Sequence, residues 1–600
     1  MRFWSVSTTV RNPERIRSFL SVLKTIEGEC WNTETQKKFQ VLLIKNKVYG
    51  FGIPQFYNSL STEHQNWLDD PKITYTQAKQ ILDAKDYVGG GDMRGRQSFN
   101  PIEKMGLTYL DENNRIVISD FGNYFLKDDY DLGDVFFKSF LKWQYPNPDA
   151  NKYKAENGYN IKPFIACLHI INDVNNICYD KGLKIKGISR IEFALFLVSL
   201  VNYKDISERA KEIVRFRLNF EKIKDRNKQK EYIEDYFLSY FSEFESWKNA
   251  NEYTDNIIRY FRLTRYLYIR GNGWYVDLEP RRNVEIQTLI NSDNASAKTF
   301  NRRIDYIKYL CNPDEPILPW ETNEKLIEVI NEQYSDIKIL QKSVLEKYGI
   351  IKTIKELKTN PNLKDLKEYS EYLRSIRRTL LNNAKSKESQ NIIKVKEYIS
   401  LLEDIFEIVK GRPVELERSI SLGLQALNDA LEIKPNYPVG DDNEPTFTAP
   451  ANKPDIECYY KSFNSICEVT LLTNRTQWYN EGQPVMRHIR DFEVVNPDKE
   501  IYCLFIAPRL HRDTINTFWF SVKYEYEGKK QKIVPLTITQ FVDLLKSLIK
   551  WKKNNIFLTH KQIKELYKNV VELTDNVNNS DEWIAKIPEV INNWKKRIVA

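Results

Sequence analysis

The run Glu500-Ile501-Tyr502-Cys503-Leu504-Phe505-Ile506-Ala507-Pro508 is apolar through its centre and closed by a proline. A strand of this kind has to be covered on both faces, which commits the flanking chain to helices layered on a sheet. The flanking chain has that character. Pro413 to Leu431 follows a helical spacing and carries Glu415 and Glu417. Two runs rich in Ile, Val, Tyr and Cys come next, one from Ile456 and one from Ser465 to Leu472. With the turn-prone Lys461 to Asn464 between them they read as a hairpin. Gln483 to Val495 returns to helical spacing, with Pro484 suited to a first helical position.

The hairpin carries the acids that matter. Asn452-Lys453-Pro454-Asp455-Ile456-Glu457 opens its first strand and Glu468-Val469-Thr470 lies in its second. Side chains alternate along a strand, so Asp455 and Glu468 can aim at one point from neighbouring strands. Two such carboxylates repel unless a cation lies between them. A hard divalent ion with oxygen ligands answers that need, and Mg²⁺ keeps waters that can attack a phosphodiester. The bland alternative is a solvated hairpin with surface acids. Helix, strands, acidic hairpin, helix, buried strand resembles the core order of the PD-(D/E)XK nucleases, which favours the chemical reading. In that motif the residue two beyond the glutamate is usually lysine, whereas here it is the uncharged Thr470. Glu481 and His488, seven residues apart, share a helix face if the helix runs back through Gly482 and Pro484.

A chain of 600 residues holds roughly two to four domains. Its net charge of +8 is only mildly basic, so a polyanion-binding surface is expected to be local. The seven cysteines form no CxxC pair, and several fall in apolar runs, which points to reduced, buried thiols in a cytoplasmic protein. The start, Met1-Arg2-Phe3-Trp4-Ser5, lacks a signal-type apolar core, and no apolar run is long enough to span a bilayer.

Three regions are expected. Residues 1–290 mix helices with short hairpins. Gly106 to Leu110, a polar turn at Asp111 to Asn114, and Arg115 to Ile118 form one hairpin, followed by a helix capped at Ser119. The basic segment Met93-Arg94-Gly95-Arg96-Gln97 precedes it, completing a winged-helix pattern. A second unit runs from Asp255 through Arg259, Arg262 and Arg265 to a hairpin turning at Asn272-Gly273. Between the two, Arg209 to Lys230 holds nine basic residues against three acidic ones. Arg215, Arg217, Lys222 and Lys224 in this run can neutralise phosphates, and arginine can also read guanine edges. A solvated helix face is the competing explanation; the winged units on either side favour duplex DNA. Residues 291–395 form long amphipathic helices and read as a helical linker. Residues 396–600 form the α/β domain with the acidic hairpin, ending in a charged helical stretch where Trp551, Trp583 and Trp594 pack.

Taken together, these residues resemble the AlwI-type family of type IIS restriction endonucleases, which includes large nicking subunits of heterodimeric enzymes. The resemblance is carried by Glu27-Gly28 with Trp31, Lys142-Trp143-Gln144-Tyr145-Pro146, Phe216-Arg217 with Glu221-Lys222-Ile223-Lys224, Arg259-Tyr260-Phe261-Arg262 and Arg270-Gly271-Asn272. It continues through Asn452, Pro454-Asp455, Glu468-Val469-Thr470, Arg487-His488 and Tyr502 to Pro508. The threonine in place of lysine is then a family trait. The resemblance implies a multi-domain α+β protein: winged-helix-like recognition subdomains, a helical linker and a C-terminal PD-(D/E)XK core. It implies a catalytic set of Glu417, Asp455, Glu468, Glu481 and His488, with Asp455, Glu468 and the Val469 carbonyl as Mg²⁺ ligands. It further implies double-stranded DNA as substrate, with Arg94 and Arg96 among its contacts. A second chain or small subunit is expected for double-strand cleavage, and a cognate DNA methyltransferase in the same system. The expected activity is cleavage a few base pairs outside a short asymmetric site. The alternatives are a strand-specific nickase and a winged-helix DNA-binding protein with an inactive nuclease domain.

Overall fold

The computed structural model describes residues 2–599 except 8–9, 12, 50–58, 70–72, 86–90, 128–129, 242–246, 271–274, 350–351, 409–411, 428, 441–443, 446–447 and 450–452. The chain divides into two compact units, Met1–Tyr334 with Leu357–Glu371, and Ser335–Glu356 with Tyr372–Ala600. Residues 291–395, expected as a linker, fall into both units and do not form a third. Their two longest helices, Asn323–Tyr348 and Leu363–Ser389, are each divided between the units.

In the first unit, helix α1 (Asp92–Lys104) carries Arg94 and Arg96. Gly95 lies between them because a Cβ there would come within 1.9 Å of the Gln36 carbonyl oxygen. That close helix contact turns Arg96 out to solvent and leaves Arg94 half-buried, donating to Gln97. Strands β1 (Thr108–Leu110) and β2 (Ile116–Ile118) form the expected antiparallel hairpin. Glu27 secures it by accepting from the Ile118 N–H at 2.8 Å. Ser119 then caps helix α2 (Asp120–Leu126) through the Gly122 N–H. Further on, a three-stranded sheet has β5 (Tyr275–Leu278) at its centre, between β3 (Ile188–Ser189) and β4 (Leu267–Arg270). The Asn272-Gly273 turn joining β4 to β5 lies outside the described residues, as does Asn452.

The second unit is built on a five-stranded sheet of order β10-β9-β8-β7-β6, from β6 (Glu432–Pro435), β7 (Ile456–Tyr459), β8 (Asn464–Val469), β9 (Ile501–Ala507) and β10 (Ile533–Thr537). The β6–β7 and β7–β8 pairs are antiparallel; β8–β9 and β9–β10 are parallel. Every residue of β9 is buried, as its composition requires. Both edge strands contain a proline, Pro435 and Pro535, where a missing N–H costs no ladder bond. Helices α3 (Arg412–Leu427), α4 (Gln483–Val495), α5 (Arg512–Lys523) and α6 (Ile538–Lys553) contribute Leu416, Ile489, Phe518 and Phe541 to one core with the sheet. Trp551 and Trp594 meet edge to face at 5.6 Å, and Trp583 is fully buried.

Helix α4 does extend backward, though not as a plain α-helix. Residues Arg475–Gln477 are helical and Trp478–Gly482 form a π turn that leads directly into α4. Pro484 accounts for this. It has no N–H to give, and its ring clashes with the carbonyl four residues back, so the chain widens its turn there. Among the described residues no helix is long and apolar enough to cross a membrane. All seven cysteines are free; Cys30 is exposed and the other six are buried.

Candidate active site

The antiparallel register pairs Ile456 with Cys467. Continued by one residue, it sets Asp455 opposite Glu468, at the end of the sheet where β7 begins and β8 finishes. Two bonds tie the strands together here: the Val469 N–H donates to Asp455 Oδ2 at 2.8 Å, and the Asp455 N–H donates to Glu468 Oε2 at 3.4 Å. Asn436, which follows β6, clamps the approach. Its N–H donates to the Asp455 carbonyl and its Nδ2 to the Pro454 carbonyl, at 2.9 and 2.8 Å. Glu457, two residues on, belongs elsewhere: it is held by Lys434, Tyr459 and Asn436.

Three more groups close on this pair. His488, from α4, brings Nδ1 to 2.7 Å from Glu468 Oε1. Its Nε2 is buried and has no hydrogen-bond partner among the described residues. Glu417, on α3 and only 5% exposed, accepts from the Ala449 N–H at 2.9 Å. Glu481, in the π turn, receives a side-chain hydrogen bond from Thr470. The threonine that stands where a lysine was expected thus donates a hydroxyl to a neighbouring acid instead of supplying charge.

Electrostatics separate this cluster from ordinary buried acids. Burial, then Glu468 and then Glu481, push the Asp455 carboxyl well above its usual range, with the Val469 N–H opposing. Burial first, then Glu481 and Glu417, do the same to Glu468. Burial and the charge of Asp455 raise Glu417 to about 9. Burial raises Glu481 to about 7, against Thr470 and His488. His488 is lowered to about 4, by burial and then by Arg487. Four carboxyl groups within electrostatic reach of one another and short of cationic partners are a donor set of hard oxygens, and a cation among them removes the penalty. Among the described residues no three His, Cys, Asp or Glu side chains converge to hold a metal by themselves.

A family model, the AlwI restriction endonuclease, matches residues 103–544. This chain belongs to the AlwI restriction endonuclease family. As an AlwI-family member it is a restriction enzyme, a site-specific nuclease, and the acidic cluster lies within the matched residues. A search of the curated proteins gives no match. Three solved structures show a low fold-level likeness. The small subunit of the heterodimeric restriction endonuclease R.BspD6I is 20% identical, covering 32% of this chain and 98% of its own, with a TM-score of 0.28. The BpuJ1 endonuclease binding domain, in complex with pyrene- and phenanthrene-modified DNA, is 14% identical, covering 49% and 90%, with a TM-score of 0.30. Restriction endonuclease FokI is 11% identical, covering 90% and 98%, with a TM-score of 0.21.

Of the basic residues expected at DNA, Arg96, Arg215, Lys222, Lys224 and Arg259 are exposed and Arg94 and Arg262 half-buried. Arg259 is paired with Asp255 at 3.0 Å. Arg217 is a correction. It is 5% exposed, binds both oxygens of buried Glu192 at 2.8 Å, and donates to the Gly187 carbonyl at 2.6 Å. Its donors are committed inside the protein, so it is a structural arginine. Within the basic run only the alternation of burial along the helix separates Arg217 from Arg215, and charge counting ignores that alternation. Two contributors to the site had no sequence signal: Asn436, which depends on the pairing of β6, and the Thr470 hydroxyl, which depends on the π turn.

Proposed function

We propose that this AlwI-family enzyme is a type IIS endonuclease with a PD-(D/E)XK-like centre. It binds a short asymmetric duplex site and hydrolyses a phosphodiester a few base pairs outside it. The observation that supports this best is the meeting of three side chains at one end of the sheet: Asp455 opposite Glu468, with His488 bonded to Glu468 at 2.7 Å. Asp455, Glu468 and the Val469 carbonyl would hold Mg²⁺, which when bound would supply Lewis acidity and an ionisable water. With Glu468 ionised, the His488 Nδ1–H must donate to it. The Nε2 lone pair is then left to take the proton from the attacking water. Burial lowers His488, which keeps the ring neutral and its Nε2 able to accept. Glu481 and Glu417 orient waters around the centre, and Thr470 fixes the Glu481 carboxyl.

On the DNA side, Arg94 and Arg96 flank Gly95 on α1, next to the β1–β2 hairpin, read as a wing. Arg215, Lys222 and Lys224 offer phosphate contacts, with Arg259 and Arg262 from the helix before β4. A cognate methyltransferase protects the host's own sites, and the enzyme works in the cytoplasm. One such centre per chain cuts one strand at each engagement, so a second chain or a small subunit completes a double-strand break. Supercoiled plasmid incubated with Mg²⁺ separates the readings. Linear product marks a double-strand cutter and open circle alone a nickase. Retardation without cutting marks a binding protein with an inactive domain. Asp455→Ala cutting like the wild type sinks the assignment of the centre.

A further inference from the structure

The helical run bearing Glu481 and His488 carries in its first turn a residue for which the reaction has no direct use. Gln477 is 0% exposed. Its Nε2 donates to the Leu472 carbonyl at 2.6 Å and to the Arg509 carbonyl at 2.8 Å. Its Oε1 accepts from the His511 N–H at 2.7 Å. Leu472 lies on the loop leaving β8; Arg509 and His511 lie on the loop leaving β9. Both amide hydrogens and the oxygen are therefore used, all on backbone groups that a burial this complete would otherwise leave unpaired.

Glu481 follows four residues later, in the π turn. The next residue after Gln477, Trp478, donates Nε1 to Thr517 Oγ1 at 2.8 Å, so the turn is pinned on a second side by α5. The loop that Gln477 holds at Leu472 also carries Thr470. The Leu472 N–H donates to Thr470 Oγ1 at 3.2 Å, and that hydroxyl bonds Glu481. The exit loops of two parallel strands, the start of the helix and the Thr470–Glu481 contact thus share one amide as their junction.

We propose that Gln477 is a positioning residue of the nuclease centre. It acts through Glu481 by fixing the π turn against the loops leaving β8 and β9. The proposal rests on the reading of Glu481 as part of the centre. A merely structural glutamine would make the same hydrogen bonds, but its loss would lower stability without depending on Glu481.

A double-mutant cycle distinguishes the two. Single-turnover cleavage of a plasmid that the wild type cuts is measured for Glu481→Gln, Gln477→Met and the double variant. Alongside go DNA affinity without divalent metal and hydrogen exchange across Trp478–Gly482. A misplaced group in an active site costs about 100-fold, and each single variant is expected to slow cleavage by about 10- to 100-fold. The double variant should then be no slower than Glu481→Gln within about twofold. DNA affinity should stay within about twofold of the wild type, and exchange across the π turn should quicken in Gln477→Met. Multiplicative losses in the double variant, or wild-type cutting by Gln477→Met, overturn the proposal. If Gln477→Met does not fold, Gln477→Glu replaces it in the same cycle, since it keeps the acceptor for His511 and has at most one donor for the two carbonyls. Glu481→Gln cutting at the wild-type rate is a separate result: it removes Glu481 from the centre, and the proposal with it.

Discussion

The two ends of the five-stranded sheet treat acidic residues in opposite ways. At the end where β8 and β9 begin, Glu500 is gripped by Lys532 and by Lys564 Nζ at 2.6 Å. Despite the cost of burial, those lysines pull its carboxyl down to about 2. At the end where β8 finishes, no lysine or arginine among the described residues steadies Asp455, Glu468, Glu417 or Glu481, and all four are raised. Folding alone has no use for the second arrangement. On the proposed reading, the sheet end that leaves its acids without counter-charge receives it from a bound cation, whereas the paired end meets its acid with lysines.

The sharpest way to break this contrast is Asp455→Asn, which keeps the Val469 N–H bond and removes one charge. Cleavage should fall on the order of 10³-fold, followed as plasmid nicking. The thermal midpoint without divalent metal should rise, by roughly 2–4 °C for each kcal/mol of relieved repulsion. A fall in both would mean that the acid is structural. His488→Asn keeps a donor for Glu468 but loses the Nε2 acceptor, and single-turnover rates should drop about 100-fold. At the opposite end, Glu500→Gln should cost roughly 1 kcal/mol in denaturant unfolding and leave cleavage intact.

The smallest effect is a pair of opposed pH slopes. Glu500 has a depressed folded-state pKa. Its contribution is present above the ordinary carboxylate range and is lost as pH falls toward about 2. Glu417 and Glu481 are raised, to about 9 and about 7. In metal-free protein their contribution is greatest below the ordinary carboxylate range and is lost as pH rises through those values. Thermal midpoints from acid to pH 9 should therefore climb and then decline. Glu417→Gln should flatten the alkaline decline and Glu500→Gln the acid rise. A decline unchanged in Glu417→Gln would show that this carboxyl is not the one titrating.

Much of the second unit is legible in the sequence where the signal is local. The buried run of β9 and the bounds of Gln483–Val495 follow from period and from a proline at the helix start. The hairpin of β7 and β8 follows from its alternation and its turn. The edge strands β6 and β10 are harder, since each carries the proline that argues against a strand and is tolerated only at an edge. Within the site, Asp455 and Glu468 are visible because their spacing is a strand-pair spacing. Which other acids join them depends on where lysines arrive from distant segments, and no local pattern encodes that. Arg217 fails for the same reason: Glu192, its partner, is 25 residues away.

The π turn at Trp478–Gly482 has a further consequence for how the centre is dimensioned. Each residue added to or taken from a helix rotates everything beyond it by about 100°. The angular phase between Glu481 and His488 is therefore set by the residue count of one wide turn, much as a gear tooth sets the relation of two shafts. Substitutions leave that phase alone. A one-residue deletion within Trp478–Gly482 shifts it by a whole step, separating the two side chains in angle while the sheet beneath them keeps its register.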